Sequence, residues 1–236
     1  MHNNVDFLRA VYGELGPEEH GWTGSFRASP NSADADWTGS FFQYGGFRES
    51  FNANAERQLD NNYFSIAILK RDAQGKAHRR KENFKRLAVL LGDDVVLADL
   101  RGTPSYIIKT SSGKHQVGAI IQADDPDAHN AQLVDKLHIE LVRQQFVKAD
   151  KSGNNAVRYG RLPVGTNTKT NERTQLIHWD PENTFTLADA ASLFGIDLDA
   201  LRLSVSTPTP TAAPEIGSDW NELLAGFTSA DMSARS

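Results

Sequence analysis

Four short apolar runs constrain this chain most: residues 63–69, 87–91, 106–109 and 116–121. Each is rich in β-branched, aromatic or leucine side chains and is too short for an ordinary helix, so each reads as a strand. The last two flank Thr110-Ser111-Ser112-Gly113-Lys114, whose hydroxyls and glycine suit the turn of a hairpin. The run at 87–91 is apolar at every position, as a strand buried on both faces would be, and it leads into Gly92-Asp93-Asp94. The chain is therefore expected to build antiparallel sheet around a polar strand end.

Helical patterns lie between and around these runs. Residues 4–15 place Val5, Leu8, Tyr12 and Leu15 on one stripe, and Gly16-Pro17 stops them. Asp125-Pro126 opens a second helix, with Leu133, Val134, Leu137, Leu141 and Val142 facing inward as far as Phe146. Residues 187–194 form a short third helix; 157–162 and 175–179 read as further strands. The pentapeptide Trp-Thr-Gly-Ser-Phe occurs at 22–26 and again at 37–41, as paired short strands would. Helices and strands alternate without a βαβ rhythm, which predicts an α+β fold. Residues 204–219 are rich in Pro and Thr and read as an extended linker. The domain is thus expected at 1–203, with 204–236 as linker and a short tail carrying Trp220, Leu223, Leu224 and Phe227.

With 39% hydrophobic and 23% charged residues in 236, the composition is that of a soluble globular chain. No apolar run approaches a membrane span and Met1-His2-Asn3-Asn4 starts no signal peptide. Zero cysteines exclude disulfides and thiolate zinc sites, and fit a cytoplasmic protein. The histidines His2, His20, His78, His129, His138 and His178 show no ligand spacing, and no nucleophile motif for acyl transfer is present. The net charge of −5 leaves nucleic-acid affinity to local basic patches.

Three segments carry chemistry. Adjacent carboxylates at a strand end repel, so Asp93 and Asp94 suit a cation there, although they also suit a polar turn. The turn from Thr110 to Gln116 offers backbone N–H groups, Lys114 and His115 to phosphate oxygens, or it is an ordinary hairpin turn. After Asp150, the loop with Arg158, Arg161, Asn167 and Lys169 has the composition of a phosphate or nucleic-acid contact, or of a solvated basic loop. Residues 76–86, with Arg79, Arg80 and Lys81, either track a nucleic-acid backbone or form a solvated face.

In their order, these pieces resemble the archaeo-eukaryotic primase (AEP) superfamily in its plasmid- and phage-borne RepB-type branch. An apolar strand ends in Asp-Asp; Thr-Ser-x-Gly-x-His-Gln follows, then a helix, Ala149-Asp150, and Arg161-Leu162-Pro163 leading to Asn167 and Lys169. The chain departs from that pattern in having its first two acids adjacent, Ser112 for a proline, Lys114 for an asparagine, and Val164 inside the Pro-Gly step. The resemblance implies an RRM-like catalytic core with an added N-terminal α/β unit around a shared cleft. It implies Asp93, Asp94 and Asp150 as ligands of two Mg²⁺ or Mn²⁺ ions. It also implies Ser111, Ser112, Lys114, His115, Arg161 and Lys169 at the nucleotide, with His115 catalytic. Arg79, Arg80, Lys81, Arg158 and Asn167 are then the expected nucleic-acid contacts. The implied activity is primase or primase-polymerase chemistry on single-stranded DNA with nucleoside triphosphates, the tail reaching a helicase. A single-stranded-DNA-binding initiator and a metal-dependent nuclease are the alternative functions.

Overall fold

The computed structural model describes residues 3–27, 38–42, 57–144 and 155–206. Asp150 and the tail beyond Ser206 lie outside the described residues. Helix α1 (Asn4–Tyr12) begins where the Asn3 side chain accepts the Asp6 N–H at 2.7 Å, and ends at Gly13, whose φ of 61° only glycine adopts at little cost. It stops short of Leu15, and its buried stripe is Phe7, Leu8, Val11 and Tyr12 rather than the Val5–Leu15 stripe expected. The Phe7 ring accounts for the rotation, meeting Phe64 and Tyr106 edge-on at 5.5 and 5.0 Å.

The first sheet contains β1 (Glu19–Phe26), β2 (Thr38–Phe42), β3 (Asn61–Ser65), β4 (Ala67–Lys70), β5 (Phe84–Leu87) and the later β9 (Tyr159–Arg161). The described parts of the repeated pentapeptide pair antiparallel, Trp22 opposite Phe41 and Gly24 opposite Gly39. The expected strand at 63–69 is broken at Ile66, whose N–H donates to the Arg158 carbonyl while its own carbonyl accepts from Ala88 and Val89. Its halves β3 and β4 pair with successive segments of β1.

The run at 87–91 is likewise two strands, and here the break divides two sheets. β5 pairs with β4 in the first sheet, whereas β6 (Val89–Gly92) pairs with the strand at Lys114–Ile121 in the second. All of Leu87 to Leu91 is buried because both sheets cover it. The second sheet is built on the hairpin of β7 (Tyr106–Ser111) and β8 (Lys114–Ile121), which turns at Ser112-Gly113 with Gly113 at φ 69°. A Cβ at Gly118 would fall 2.1 Å from the Tyr106 ring opposite it, so only glycine lets that ring lie across β8. The pair β10 (Thr166–Asn167) and β11 (Glu172–Arg173) stands apart, and β12 (Gln175–Trp179) and β13 (Thr184–Phe185) complete the second sheet.

Helix α2 (Ala131–Arg143) is capped by Asn130 and buries Leu133, Val134, Leu137, His138 and Leu141; a 3₁₀ turn at Pro126–His129 precedes it. Helix α3 (Leu187–Leu193) is capped by Thr186, and α4 (Leu198–Ser206) carries helical backbone past the expected boundary at residue 203. The chain divides into units Met1–Val205 and Ser206–Ser236. Mixed helices and mainly antiparallel sheets, with β13 parallel to β8, make the fold α+β, as its element order predicts.

Candidate active site

β6 delivers the two carboxylates to the end of the second sheet that holds the β7–β8 turn. Gly92 ends the strand among the Val95 side chain and the Phe194 ring, where an added Cβ would come within 2.6 and 2.8 Å. Asp94 has φ 54°, a left-handed conformation that Asp tolerates better than most residues, and this breaks the alternation of side chains between sheet faces. The Val95 N–H then donates to the His115 carbonyl at 3.0 Å, tying the turn to β8. Lys114 Nζ lies 2.8 Å from Asp94 Oδ2 and remains 57% exposed. That hydrogen bond and charge hold the Lys114 ammonium above its ordinary pKa.

Asp93 is the more enclosed carboxylate. Burial raises its pKa; Arg158 opposes the rise, Asp94 adds to it and Arg161 opposes it. Arg158, expected at nucleic acid, is only 6% exposed, and its charge acts on Asp93, Tyr106 and His138. Arg161 stays at the site margin: its Nη1 donates to Asn61 Oδ1 at 3.0 Å and its guanidinium lies 4.9 Å from the Tyr63 ring centre.

Gln116, to which the sequence assigned no role, joins the sheets at this point. Its Oε1 accepts the Arg161 N–H at 2.8 Å, and its Nε2 donates to the Arg161 carbonyl at 3.1 Å. The buried Gln between an exposed turn and an apolar strand was the available signal. Gln116→Ala should lower unfolding free energy by about 2–4 kcal/mol, since two backbone groups lose their partner in a buried setting. Urea denaturation measures it; a loss below half a kilocalorie would show that the sheets do not depend on this bridge.

Around the turn, Ser111 is buried, Ser112 and Gly113 are exposed, and His115 is half-buried on β8. Lys169 is exposed, and its N–H donates to Asn167 Oδ1 at 3.2 Å. Asn167 is buried with Nδ2 toward the Thr110 carbonyl at 3.4 Å, so it braces the loop instead of reaching nucleic acid as expected. The other expected nucleic-acid contacts have local partners. Arg79 donates to the Val157 carbonyl and lies over Tyr159, Arg80 pairs with Glu82, and Lys81 pairs with Asp135. A concavity of about 350 Å³ between Pro163, Val164 and Leu176 is lined by no carboxylate among the described residues.

Two adjacent carboxylates are hard oxygen donors suited to Mg²⁺ or Mn²⁺, and a cation would relieve their mutual repulsion. The donor chemistry fits one such ion. Among the described residues no group of three His, Asp or Glu side chains forms, so a second ion would draw on further oxygens.

No family model matches the sequence, and no curated protein does. Solved structures match the fold. The AEP domain of the cyanophage S-2L primase-polymerase superposes with a TM-score of 0.56 at 11% identity, covering 81% of this chain and 96% of that one. The catalytic domain of primase RepB′, solved in complex with initiator DNA, superposes with a TM-score of 0.54 at 16% identity, covering 86% and 96%. A second RepB′ primase structure gives 0.50 at 17%, covering 84% of this chain and 62% of that one. The two curled sheets joined at Ala88, with paired carboxylates and a Lys-His hairpin at one end, thus have the fold of the archaeo-eukaryotic primase catalytic domain.

Proposed function

We propose that this chain transfers nucleotides to a 3′-hydroxyl on a single-stranded DNA template, as a primase or primase-polymerase of plasmid or phage replication. The observation that carries the reading is the Asp93–Asp94 pair at the end of β6, beside Lys114 and the β7–β8 turn, in an AEP fold. Asp93 and Asp94, with Asp150, would hold Mg²⁺ or Mn²⁺, which when bound stabilises charge on the attacking and leaving oxygens. Among the described residues Lys114 pairs with Asp94 alone and its side chain is 57% exposed, so its ammonium is placed to turn from Asp94 to a triphosphate. His115 and the exposed backbone of Ser112 and Gly113 orient the same phosphates, and Arg161 and Lys169 flank them. Ser111, assigned to the nucleotide by the resemblance, is buried and pairs with Lys114 across the turn. In this reading the catalytic unit ends within α4, and residues beyond it tether it to a partner such as a helicase.

The test is metal-dependent incorporation of labelled nucleotide on a single-stranded template. Extension supports the proposal; shortening would identify a nuclease, and a mobility shift without chemistry an initiator that only binds. Within that assay, His115→Ala should lower kcat/KM for the incoming triphosphate by roughly 10- to 150-fold. The basis is loss of one charge-assisted hydrogen bond of about 1.5–3 kcal/mol. Unchanged nucleotide dependence with a lowered Tm would make His115 a structural residue.

A further inference from the structure

We propose that the cavity bordered by Pro163, Val164 and Leu176 holds one unpaired adenine of single-stranded DNA, read by Gln58 and Gln175, with Arg173 at its phosphate. The inference rests on the templated-transfer reading only for the source of that base in a DNA strand. The cavity has a volume of about 350 Å³, within the range of small-ligand sites. Gln58 precedes β3, residues 163–165 form the loop after β9, and Arg173 to Leu176 run from β11 into β12. Segments flanking both sheets therefore build it.

Its walls are tied by hydrogen bonds of their own. Val164 donates its N–H to Asn4 Oδ1 at 2.8 Å, and its carbonyl accepts from Asn4 Nδ2 and Asn62 Nδ2, both at 2.8 Å. The buried Thr174 donates its hydroxyl to the Pro163 carbonyl at 2.9 Å and its N–H to the Gly165 carbonyl at 3.0 Å. Thr166 donates its N–H to the Asp60 carbonyl at 2.9 Å and its hydroxyl to the Gln58 carbonyl at 2.7 Å. A Cβ at Gly165 would fall 3.0 Å from the Asp60 carbonyl, so glycine lets the loop close on the segment before β3. What the walls leave unused is specific. The exposed side chains of Gln58, Arg173 and Gln175 have no hydrogen-bond or ion-pair partner among the described residues.

Those three groups define the ligand. A glutamine amide presents a donor beside an acceptor, and adenine has the complement on two edges, N6–H beside N7 and N6–H beside N1. Guanine puts two acceptors on its N7 edge, and the pyrimidines have no second edge of this kind. In a duplex the N1 edge is engaged by thymine, so the base must be unpaired and swung into the cavity. Pro163, Val164 and Leu176 offer apolar surface to its ring, and the Arg173 guanidinium suits its phosphate. The nearby Asp60 carboxylate is held by Arg27 at 2.9 Å, and strand alternation puts Glu172 on the side of β11 opposite Arg173. The cavity also adjoins the candidate site. Pro163 is two residues beyond Arg161, which donates to Asn61, and Gln175 is opposite Lys109, two residues before Ser111 of the hairpin.

The test measures binding of fluorescein-labelled oligothymidylate to the full chain by anisotropy, with and without one central adenine. The adenine should tighten binding by about 5- to 150-fold, the range for one well-paired base contact. Gln58→Leu and Gln175→Leu should each remove most of that gain and keep the affinity for plain oligothymidylate within about twofold. Arg173→Gln should reduce the salt slope of the affinity by about one. Equal affinity for the two oligonucleotides, or a gain that survives both glutamine substitutions, would overturn the assignment. Unlabelled deoxyadenosine monophosphate should erase the gain only far above the oligonucleotide concentration; displacement at equal concentration would overturn a DNA strand as the source of the base. If the variants fail to fold, photocrosslinking of an 8-azidoadenine-substituted oligonucleotide to the unaltered chain decides: crosslinks at Gln58, Val164 or Leu176 support the cavity, and crosslinks confined elsewhere overturn it. A glutamine-dependent gain without nucleotide incorporation would defeat the catalytic reading and leave the cavity; incorporation without any adenine gain would do the reverse.

Discussion

Asparagine at both Asp93 and Asp94 should abolish templated nucleotide transfer, by at least about a thousandfold, or roughly 4 kcal/mol of transition-state stabilisation. An amide of equal size cannot neutralise a divalent ion, and it removes the anionic partner of Lys114. Asp150→Asn should have the same effect. The circular dichroism spectrum should be unchanged, because both carboxylates stand at a strand end outside the apolar cluster. Near-native extension by the double variant, with Mg²⁺ or Mn²⁺ supplied, would sink the site assignment.

Acidification should destabilise the fold well before its carboxylates protonate. His138 is fully buried on α2; one ring nitrogen, Nδ1, faces the Val134 carbonyl at 2.9 Å and the other has no hydrogen-bond partner among the described residues. Burial, reinforced by the Arg158 charge, lowers its pKa to about 4. His20, buried on β1, is lowered to about 4 chiefly by desolvation. Both stay neutral in the folded chain while the unfolded chain protonates them below about 6.5. Their contribution is therefore whole above pH 6.5 and is lost as pH falls toward 4. Between pH 7 and pH 5 each histidine should withdraw about 2 kcal/mol, together a large share of a typical domain's stability. Urea unfolding at the two pH values measures the drop, and His138→Leu should shrink it by about half. An undiminished drop in that variant would mean that His138 is charged in the fold.

The candidate site was readable to the extent that its residues are neighbours in sequence. Asp93-Asp94 and Lys114-His115 belong to two local motifs, and the pairing of β6 with β8 brings them together as strand and hairpin. Arg158 and Asn167 read as solvated because they are a basic and an amide residue in a Gly- and Thr-rich segment. Both side chains are buried, Asn167 with its Nδ2 toward the Thr110 carbonyl. Gln116 was seen as part of a motif but not as a bridge, since its partner Arg161 lies on another sheet.

Local chemistry in the sequence determined the hairpin, the capped helices, the α+β class and the acidic strand end. These depend on side-chain alternation, glycine dihedrals and capping oxygens within a few residues. Only the tertiary structure decided that the runs at 63–69 and 87–91 each break, at Ile66 and Ala88. An uninterrupted apolar run is compatible with one straight strand or with two strands buried in different sheets. Hydrogen bonds from distant residues, such as Ile121 N–H to the Ala88 carbonyl at 2.9 Å, choose between them. The same long-range pairing placed rings of β1, β2, β3 and β9 on one face, because sheet register, and not sequence distance, decides which side chains share a face.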